Sequence, residues 1–547
     1  MFWLWEADRK RPDYSAHQLH EHVAPEEPQS NMREILYIQA GKLANYVGTH
    51  FWNAQESYFT YGEGALDPIV NHDISFREGL SERGESTFSP RLLLFDRKSN
   101  FGSLSDLYDA AEAHGSEELL SEWNGDVVEY RQDPVPQSDY HARLDTERDT
   151  HGPEDEQATP RADESRIRFW ADYSRVFFHP RTIQRLPDPP DWEAAEGDWA
   201  KGIEEFNRLE EDSEFMEETF RMFVEECDNL QGLQLVNETP TFGSFTHSFL
   251  TRFRDEFTKI PSLSLSILSG VDPRKIDVDD SPSLMKALND ALCLRSLSEL
   301  STMTVPLQNP STWTAGPWLR DLTADLKDSY HASALLSTHI ESATLPLRLK
   351  SPASSTDMST LCSLLNWREN TSFASLSGAF PLSTSDNLEF EQDAYARIYD
   401  LSTLVEVPNS QSGEILPFAR IDVSRGFSKG SISSYDTWAK RFQPPPFSIH
   451  APACNIPTSF PRILVPVGSP QQTAGAFSSI VTSHHSSTLF AAFSSLADDC
   501  LRRHTDVVDK LGLERDDVRQ LRDELQALED IYKVDEGLED VEMDEQY

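Results

Sequence analysis

Residues 32–57, MREILYIQAGKLANYVGTHFWNAQES, read as a strand, a turn and a helix in that order. Ile35-Leu36-Tyr37-Ile38 is an unbroken apolar run with β-branched and aromatic members, the pattern of a strand covered on both faces of a parallel sheet. Gly41 ends the run, and Leu43, Val47, Phe51 and Trp52 then recur at helical spacing. In an open α/β sheet this first turn lies at the carboxyl end of the strands, where backbone N–H groups and a helix N-terminus can meet a phosphate. The backbone amides of the turn Gly41-Lys42-Leu43-Ala44-Asn45 and the Lys42 side chain are therefore the first candidate ligand contacts.

Working outward, Tyr61–Glu85 is polar and glycine-bearing and reads as a loop, and Phe88–Asp96 (FSPRLLLFD) as the next strand of the sheet. Leu104–Leu120 has helical periodicity. Residues 132–166 are rich in Pro, Asp and Glu and poor in large apolar side chains, so they are expected to form a flexible insertion. A helix is predicted from Ile167 to His179, and a long amphipathic one from Phe206 to Leu230, closed by Gly232 before a central strand Leu233–Val236. A helix Phe245–Phe257 and a strand Ser262–Leu268 follow, then helices over Leu284–Leu300, Trp318–Leu326, Tyr330–Ile340 and within Thr360–Phe380. Ile415–Val423 and Arg462–Val467 read as strands, Gln443–Pro446 and Gly468–Ser487 as surface loops. From Val508 to Tyr532, Leu511, Val518, Leu521, Leu525, Leu528 and Tyr532 mark a helix expected to pack on the body or to pair with a partner, and Asp535–Tyr547 is an acidic tail.

The 547-residue chain carries 92 Asp+Glu against 48 Lys+Arg, a formal net charge of -44, which disfavours direct nucleic-acid binding and attraction to anionic membranes. Its five cysteines show no C-x-x-C spacing, which argues against a disulfide framework or a structural zinc site. No run reaches the length of a membrane span. No nucleophile elbow, H-E-x-x-H or P-loop is present, and His484-His485 lacks an acid or Cys at metal spacing, so neither catalytic residues nor metal ligands are assigned.

Arg33-Glu34-Ile35, Ile38-Gln39-Ala40-Gly41, Asn45, Gly48 and Phe51-Trp52 resemble the opening of tubulin. Pro90, Arg91 and Asp96 match a second tubulin segment, Phe178-His179-Pro180 a third, and Cys227-Asp228-Asn229-Leu230-Gln231-Gly232-Leu233-Gln234-Leu235 a fourth. Over nearly everything from Met32 to the end, the chain resembles the Misato family, tubulin-like proteins that include mitochondrial DNA inheritance proteins. The resemblance implies a tubulin-like α/β fold: a Rossmann-like parallel-sheet domain over 32–345, a smaller α+β domain over 346–500, a C-terminal helix over 501–534 and a tail over 535–547. Residues 1–31 precede the family's usual start and are expected to be a disordered extension or the product of an upstream start codon. They include six acids, Glu6, Asp8, Asp13, Glu21, Glu26 and Glu27, unlike a cleaved presequence.

The resemblance also implies a nucleotide site at Gly41, Lys42, Asn45, Asp96, Gly243 and Ser244, with GTP as the ligand. Three of its loops depart from tubulin. Lys98 stands where tubulin has an acid near the magnesium, and Leu186–Asp198 holds three prolines and five acids where tubulin has small and amide residues. Tubulin's glycine-rich phosphate turn has become Asn237-Glu238-Thr239-Pro240-Thr241-Phe242-Gly243-Ser244-Phe245-Thr246-His247, with one proline, one acid and two bulky phenylalanines. The expectation is a degenerate site without cofactor or hydrolysis, in a scaffold that serves mitochondrial partitioning and mitochondrial DNA inheritance. It would act through protein partners, cytoskeletal or on the mitochondrial surface, with peripheral association at the mitochondrion and the cytoplasm as a second location. The alternative is a GTP-binding protein, with or without GTP hydrolysis, that polymerises as tubulin does, and self-association is left open.

Overall fold

The computed structural model describes residues 33–60, 67–80, 86–104, 138–149, 164–188, 197–277, 279–351, 354–366, 368–385, 388–402, 417–465, 472–503 and 506–533. Strand β1 (Glu34–Ala40) is buried at every position and runs through one glycine into helix α1 (Lys42–Glu56). Strands β2 (Phe76–Leu80) and β3 (Ser86–Pro90) form an antiparallel hairpin. Five further strands join β1 in one parallel sheet: β4 (Leu92–Arg97), β5 (Ile183–Leu186), β6 (Leu230–Glu238), β7 (Ser262–Ile267) and β8 (Met303–Leu307).

Across the sheet the order is β5-β4-β1-β6-β7-β8, which is 3-2-1-4-5-6 for the parallel strands counted along the chain. The winding reverses between β1 and β6, so the crevice over their carboxyl ends is the place where such a sheet takes a ligand.

Alternation along β1 sorts the two faces. Ile35 and Tyr37 pack toward α1, α2 (Asp139–Asp149) and the second domain. Leu36, Ile38 and Ala40 pack toward α3 (Trp199–Ser213), α4 (Thr239–Glu256) and α5 (Ser281–Leu300). Helix α6 (Ser329–Thr344) lies between α1 and a second, mixed sheet. That sheet contains β9 (Ser375–Leu382), β10 (Tyr399–Asp400), β11 (Pro417–Arg425), β12 (Phe447–Ala451), β13 (Cys454–Asn455) and β14 (Thr473–Ser483), in the order β10-β9-β14-β11-β12 with β13 on β14. Helix α7 (Met358–Leu365) precedes it. Helices α8 (Ser486–Arg503) and α9 (Arg515–Tyr532) close the fold. Val518, Leu521, Leu525 and Tyr532 of α9 are buried, and the Tyr532 hydroxyl binds both backbone groups of Phe373, so this helix packs on the body, although it begins only at Arg515 because the chain turns at Gly512, whose φ is 70°.

Several expectations need correction. Tyr61–Glu85 contains β2, and Phe88–Asp96 is two strands, because the chain turns at Arg91 between the hairpin and the parallel sheet. Part of the supposed flexible insertion is α2, whose Tyr140 and Leu144, four residues apart, reach the core; the Tyr140 hydroxyl meets that of Tyr330 at 3.1 Å. Between Ile167 and His179 the described structure is a short 3-10 turn, Trp170–Tyr173, with extended chain, held because its aromatic residues pack on α1. The helix expected over Phe206–Leu230 starts at Trp199 and breaks at Glu214, whose φ is 44°, and β6 begins at Leu230. Gly232 is thus a strand glycine, where a Cβ would sit 2.2 Å from the Met358 sulfur. Trp318–Leu326 has only a 3-10 turn, Pro317–Leu319; Trp318 stacks on Tyr399 instead.

The predicted loop Gly468–Ser487 contains β14, buried along nearly its whole length. Its serines satisfy interior partners: Ser479 donates to Asp422 at 2.5 Å, and Ser478 lies 2.9 Å from His339. Arg462–Val465 forms no strand. Residues 1–31, the helix expected beyond Leu104, most of Leu186–Asp198 and the tail from Asp535 lie outside the described residues.

Candidate functional site

The turn between β1 and α1 is Gly41 alone. Its φ of 107° and ψ of 159° lie in a region open essentially only to glycine. Its N–H donates to the Phe95 carbonyl of β4 at 3.1 Å, which fixes the turn over the sheet edge. The next two N–H groups, of Lys42 and Leu43, begin α1 and point at the position where a phosphate would lie in a fold of this kind.

That position is taken. Glu238, the last residue of β6, is next to Asn237, which pairs with Ala40. The Lys42 N–H donates to Glu238 Oε1 at 3.2 Å, the Leu43 N–H to Oε2 at 2.8 Å, and the Thr241 hydroxyl also donates to Oε1. The fit is close: a Cβ on Gly41 would stand 2.3 Å from Glu238 Cγ. Burial pushes the Glu238 carboxyl up to about 7, against the hydrogen bonds from Thr241, Leu43 and Lys42. The positive end of α1 offsets part of the cost of holding a carboxylate there.

Asp96 and Asn45 are also engaged. Asp96 is fully buried at the end of β4 and accepts from Asn45 Nδ2 (2.9 Å), Trp170 Nε1 (3.0 Å), Asn100 Nδ2 (2.7 Å) and its neighbour Arg97 N–H (2.8 Å). Burial raises its pKa, and these donors oppose the rise. Four donors match the acceptor capacity of a carboxylate, so Asp96 has none left for a metal or ligand. Arg97 is bound to Glu205 at 2.5 Å and to the Pro187 carbonyl at 3.2 Å, and lies over the Phe242 ring.

Gly243 and Ser244 do not reach the crevice. No glycine loop follows β6, because α4 begins at Thr239, six residues before the predicted start at Phe245. Pro240 is compatible with that start, since the first turn of a helix needs no N–H from it. Gly243 therefore faces Asn289 and Cys293 of α5, and Ser244 packs against Gly202 of α3. Phe242 and Phe245 are buried beneath α3, with Phe245 5.1 Å from Phe95 and 5.3 Å from Phe206. The structure thus brings Gly41 and Lys42 together with Glu238, and Asn45 with Asp96, and leaves Gly243 and Ser244 in a helix–helix contact.

Glu238 is legible in the sequence as an extra negative charge, but its role depends on the β1–β6 register, which places it opposite Gly41. Asp290 is a further buried acid at this end of the sheet. It accepts from the Ser269 N–H and hydroxyl and the Thr239 hydroxyl, and burial pushes its carboxyl up to about 6. The described residues hold no cluster able to bind a metal ion, and no helix among them is long and apolar enough to cross a membrane.

The sheet order and the glycine turn define a doubly wound, Rossmann-like α/β protein, and the family matches make it tubulin-like. Residues 33–146 match the Misato Segment II tubulin-like domain and residues 159–349 match the Tubulin domain. The chain is 32% identical over 408 residues to Protein DML1 of Gibberella zeae, covering 72% of this chain and 77% of that one. It is 35% identical over 328 residues to Protein DML1 of Coccidioides immitis, covering 58% and 59%, and 30% identical over 357 residues to Protein misato of Drosophila melanogaster, covering 58% and 60%. The matched segment therefore spans about three fifths of the length of the last two relatives. The chain belongs to the Misato family.

Proposed function

We propose that this chain is a non-enzymatic tubulin-like scaffold that serves the partitioning of mitochondria and the inheritance of mitochondrial DNA through protein partners. The observation that carries the non-enzymatic part is the Glu238 carboxylate seated on the Lys42 and Leu43 N–H groups. Phosphoryl transfer needs positioned donors and a metal at the transferred group. Here the donors are occupied by a carboxylate and the acid best placed for a metal, Asp96, is saturated by its own neighbours. The organelle role follows the family resemblance, with peripheral placement at the mitochondrion and no cofactor.

The competing reading, a GTP-binding protein that polymerises, with or without hydrolysis, is favoured by one feature, the single-glycine turn that leads β1 into the N-terminus of α1. Calorimetric titration of the full chain with GTP and Mg²⁺, together with analysis of nucleotide retained on purification, separates the two. No heat and no guanine nucleotide are expected; saturable binding sinks the scaffold reading. The organelle role is checked by depleting the protein and counting mitochondrial DNA per cell, which is expected to fall.

A further inference from the structure

We propose that Glu238 is a built-in stand-in for a phosphate, an autoinhibitory contact whose removal unmasks a working anion site for phosphate-bearing ligands at the Gly41 turn. The inference rests on the scaffold reading above and goes beyond it, because it separates a site that has been lost from one that is covered. The donor side is in place: Gly41 holds a backbone conformation open essentially only to glycine, and the Lys42 and Leu43 N–H groups converge on the two oxygens of one carboxylate supplied by another strand. No ion pair to a cationic side chain holds that carboxylate among the described residues. Its charge is met by two backbone N–H groups and the Thr241 hydroxyl.

A second observation comes from the first turn of α1: Asn45 is wholly buried, and its Oδ1 has no partner among the described residues. That acceptor would suit a ligand hydroxyl. The Glu238 backbone is anchored independently of its side chain, since Asn237 binds Thr246 and Ser266, Thr239 binds the Ile267 carbonyl and Asp290, and the Pro240 carbonyl accepts from Gly197. Truncating the side chain therefore removes the occupant and leaves the N–H groups in place. The nearby charges are Lys42 at the surface, which favours an anion, and the saturated Asp96, which opposes one.

The test uses the full chain as wild type, Glu238→Ala, Glu238→Gln and the double variant Gly41→Ala/Glu238→Ala. Each is titrated calorimetrically with inorganic pyrophosphate and, separately, with GTP and Mg²⁺. Glu238→Ala is expected to bind pyrophosphate at least about tenfold more tightly than wild type. Glu238→Gln still fills the position and should gain nothing, while the double variant should lose the gain because alanine cannot hold the Gly41 turn. A gain with pyrophosphate alone identifies a simple anion site, and a gain with GTP as well identifies a covered nucleotide site; both support the proposal. A folded Glu238→Ala with unchanged affinity, or an equal gain in Glu238→Gln, overturns it. Should Glu238→Ala fail to fold, Glu238→Ser is the substitute and is judged by the same outcomes. Binding of GTP by the wild type would sink the scaffold reading, whereas an inert Glu238→Ala sinks only this one.

Discussion

Replacing Glu341 with alanine should cost about 3–5 kcal/mol of stability, because it leaves two buried guanidinium groups without a counter-charge. Glu341 lies on α6 between the two sheets. Its carboxylate pairs with Arg425 of β11 at 2.8 Å and with Arg348 at 3.6 Å, and it accepts from Tyr58 at 3.0 Å and Gln55 at 3.3 Å near the end of α1. The Arg425 and Arg348 side chains are 0% and 1% exposed, so water cannot replace the lost partner. After substitution Arg425 would keep the Pro452 carbonyl and the Tyr58 hydroxyl, and Arg348 the Thr344 hydroxyl and the Phe51 ring, none of them anionic. Burial pushes the Glu341 carboxyl up, but Arg425 and then Arg348 outweigh it and hold the pKa below the ordinary range. A carboxyl lowered in this way stabilises the fold above its ordinary pKa and loses the contribution as pH falls through the lowered value. Urea denaturation followed by tryptophan fluorescence at neutral pH measures the loss, and the gap between wild type and Glu341→Ala should narrow in acid. A loss under about 1 kcal/mol would refute the claim that this network is a desolvated ionic link between the domains.

Four further outcomes are expected. Asp290 is fully buried with its pKa raised from 3.8 to about 6, so its neutral form is favoured by folding. It should add stability below about pH 4 that is lost as pH rises through about 6, a change of about 3 kcal/mol that denaturation of Asp290→Asn across this range should not show. Glu238 acts in the same direction up to about pH 7, but its partial exposure reduces the effect to about 2 kcal/mol, and Glu238→Gln should flatten that part of the curve. Gly41→Ala should cost about 3 kcal/mol from its backbone conformation and the overlap with Glu238 Cγ; in a double-mutant cycle, Glu238→Ala should relieve the overlap and leave the backbone cost. Tyr532→Phe should lose about 1 kcal/mol in the same denaturation assay by leaving the backbone of Phe373 short of a partner.

The α/β class was readable because β1 and α1 carry their periods locally, and a covered parallel strand leaves an unbroken apolar run. The readings that failed share a cause in tertiary contact. Serine- and threonine-rich β14 resembles a loop until Asp422 and His339 supply partners for its hydroxyls. Trp318 and the Trp170–Tyr173 segment look helical by spacing, yet their rings are buried against Tyr399 and α1 without a continuous helix. At the site, the loss of the glycine-rich turn was visible as composition. Its replacement by a helix starting at Thr239 was not, because Pro240 reads as a breaker unless it falls in the first turn, where its missing N–H costs nothing.

The carboxyl edge of the sheet also constrains what can bind there. Three carboxylates converge on it: Asp96 at the end of β4, Glu238 at the end of β6, and Asp290 of α5 against the loop after β7. Each has its pKa pushed up by burial, and each is held by the chain's own hydroxyl, amide, indole or backbone donors, with no ion pair to it among the described residues. A polyphosphate brings several negative charges and requires donors or cations that remain free when it arrives. At this edge the best donors already serve acids, and Arg97 is committed to Glu205. To bind a nucleotide the chain must first move Glu238 off the α1 terminus, which leaves that side chain to find solvent beside the incoming phosphates. The Glu341 network lies elsewhere in the fold, on α6 against Arg425 of β11, so interdomain stability and anion binding at the α1 terminus can be tested by separate mutations.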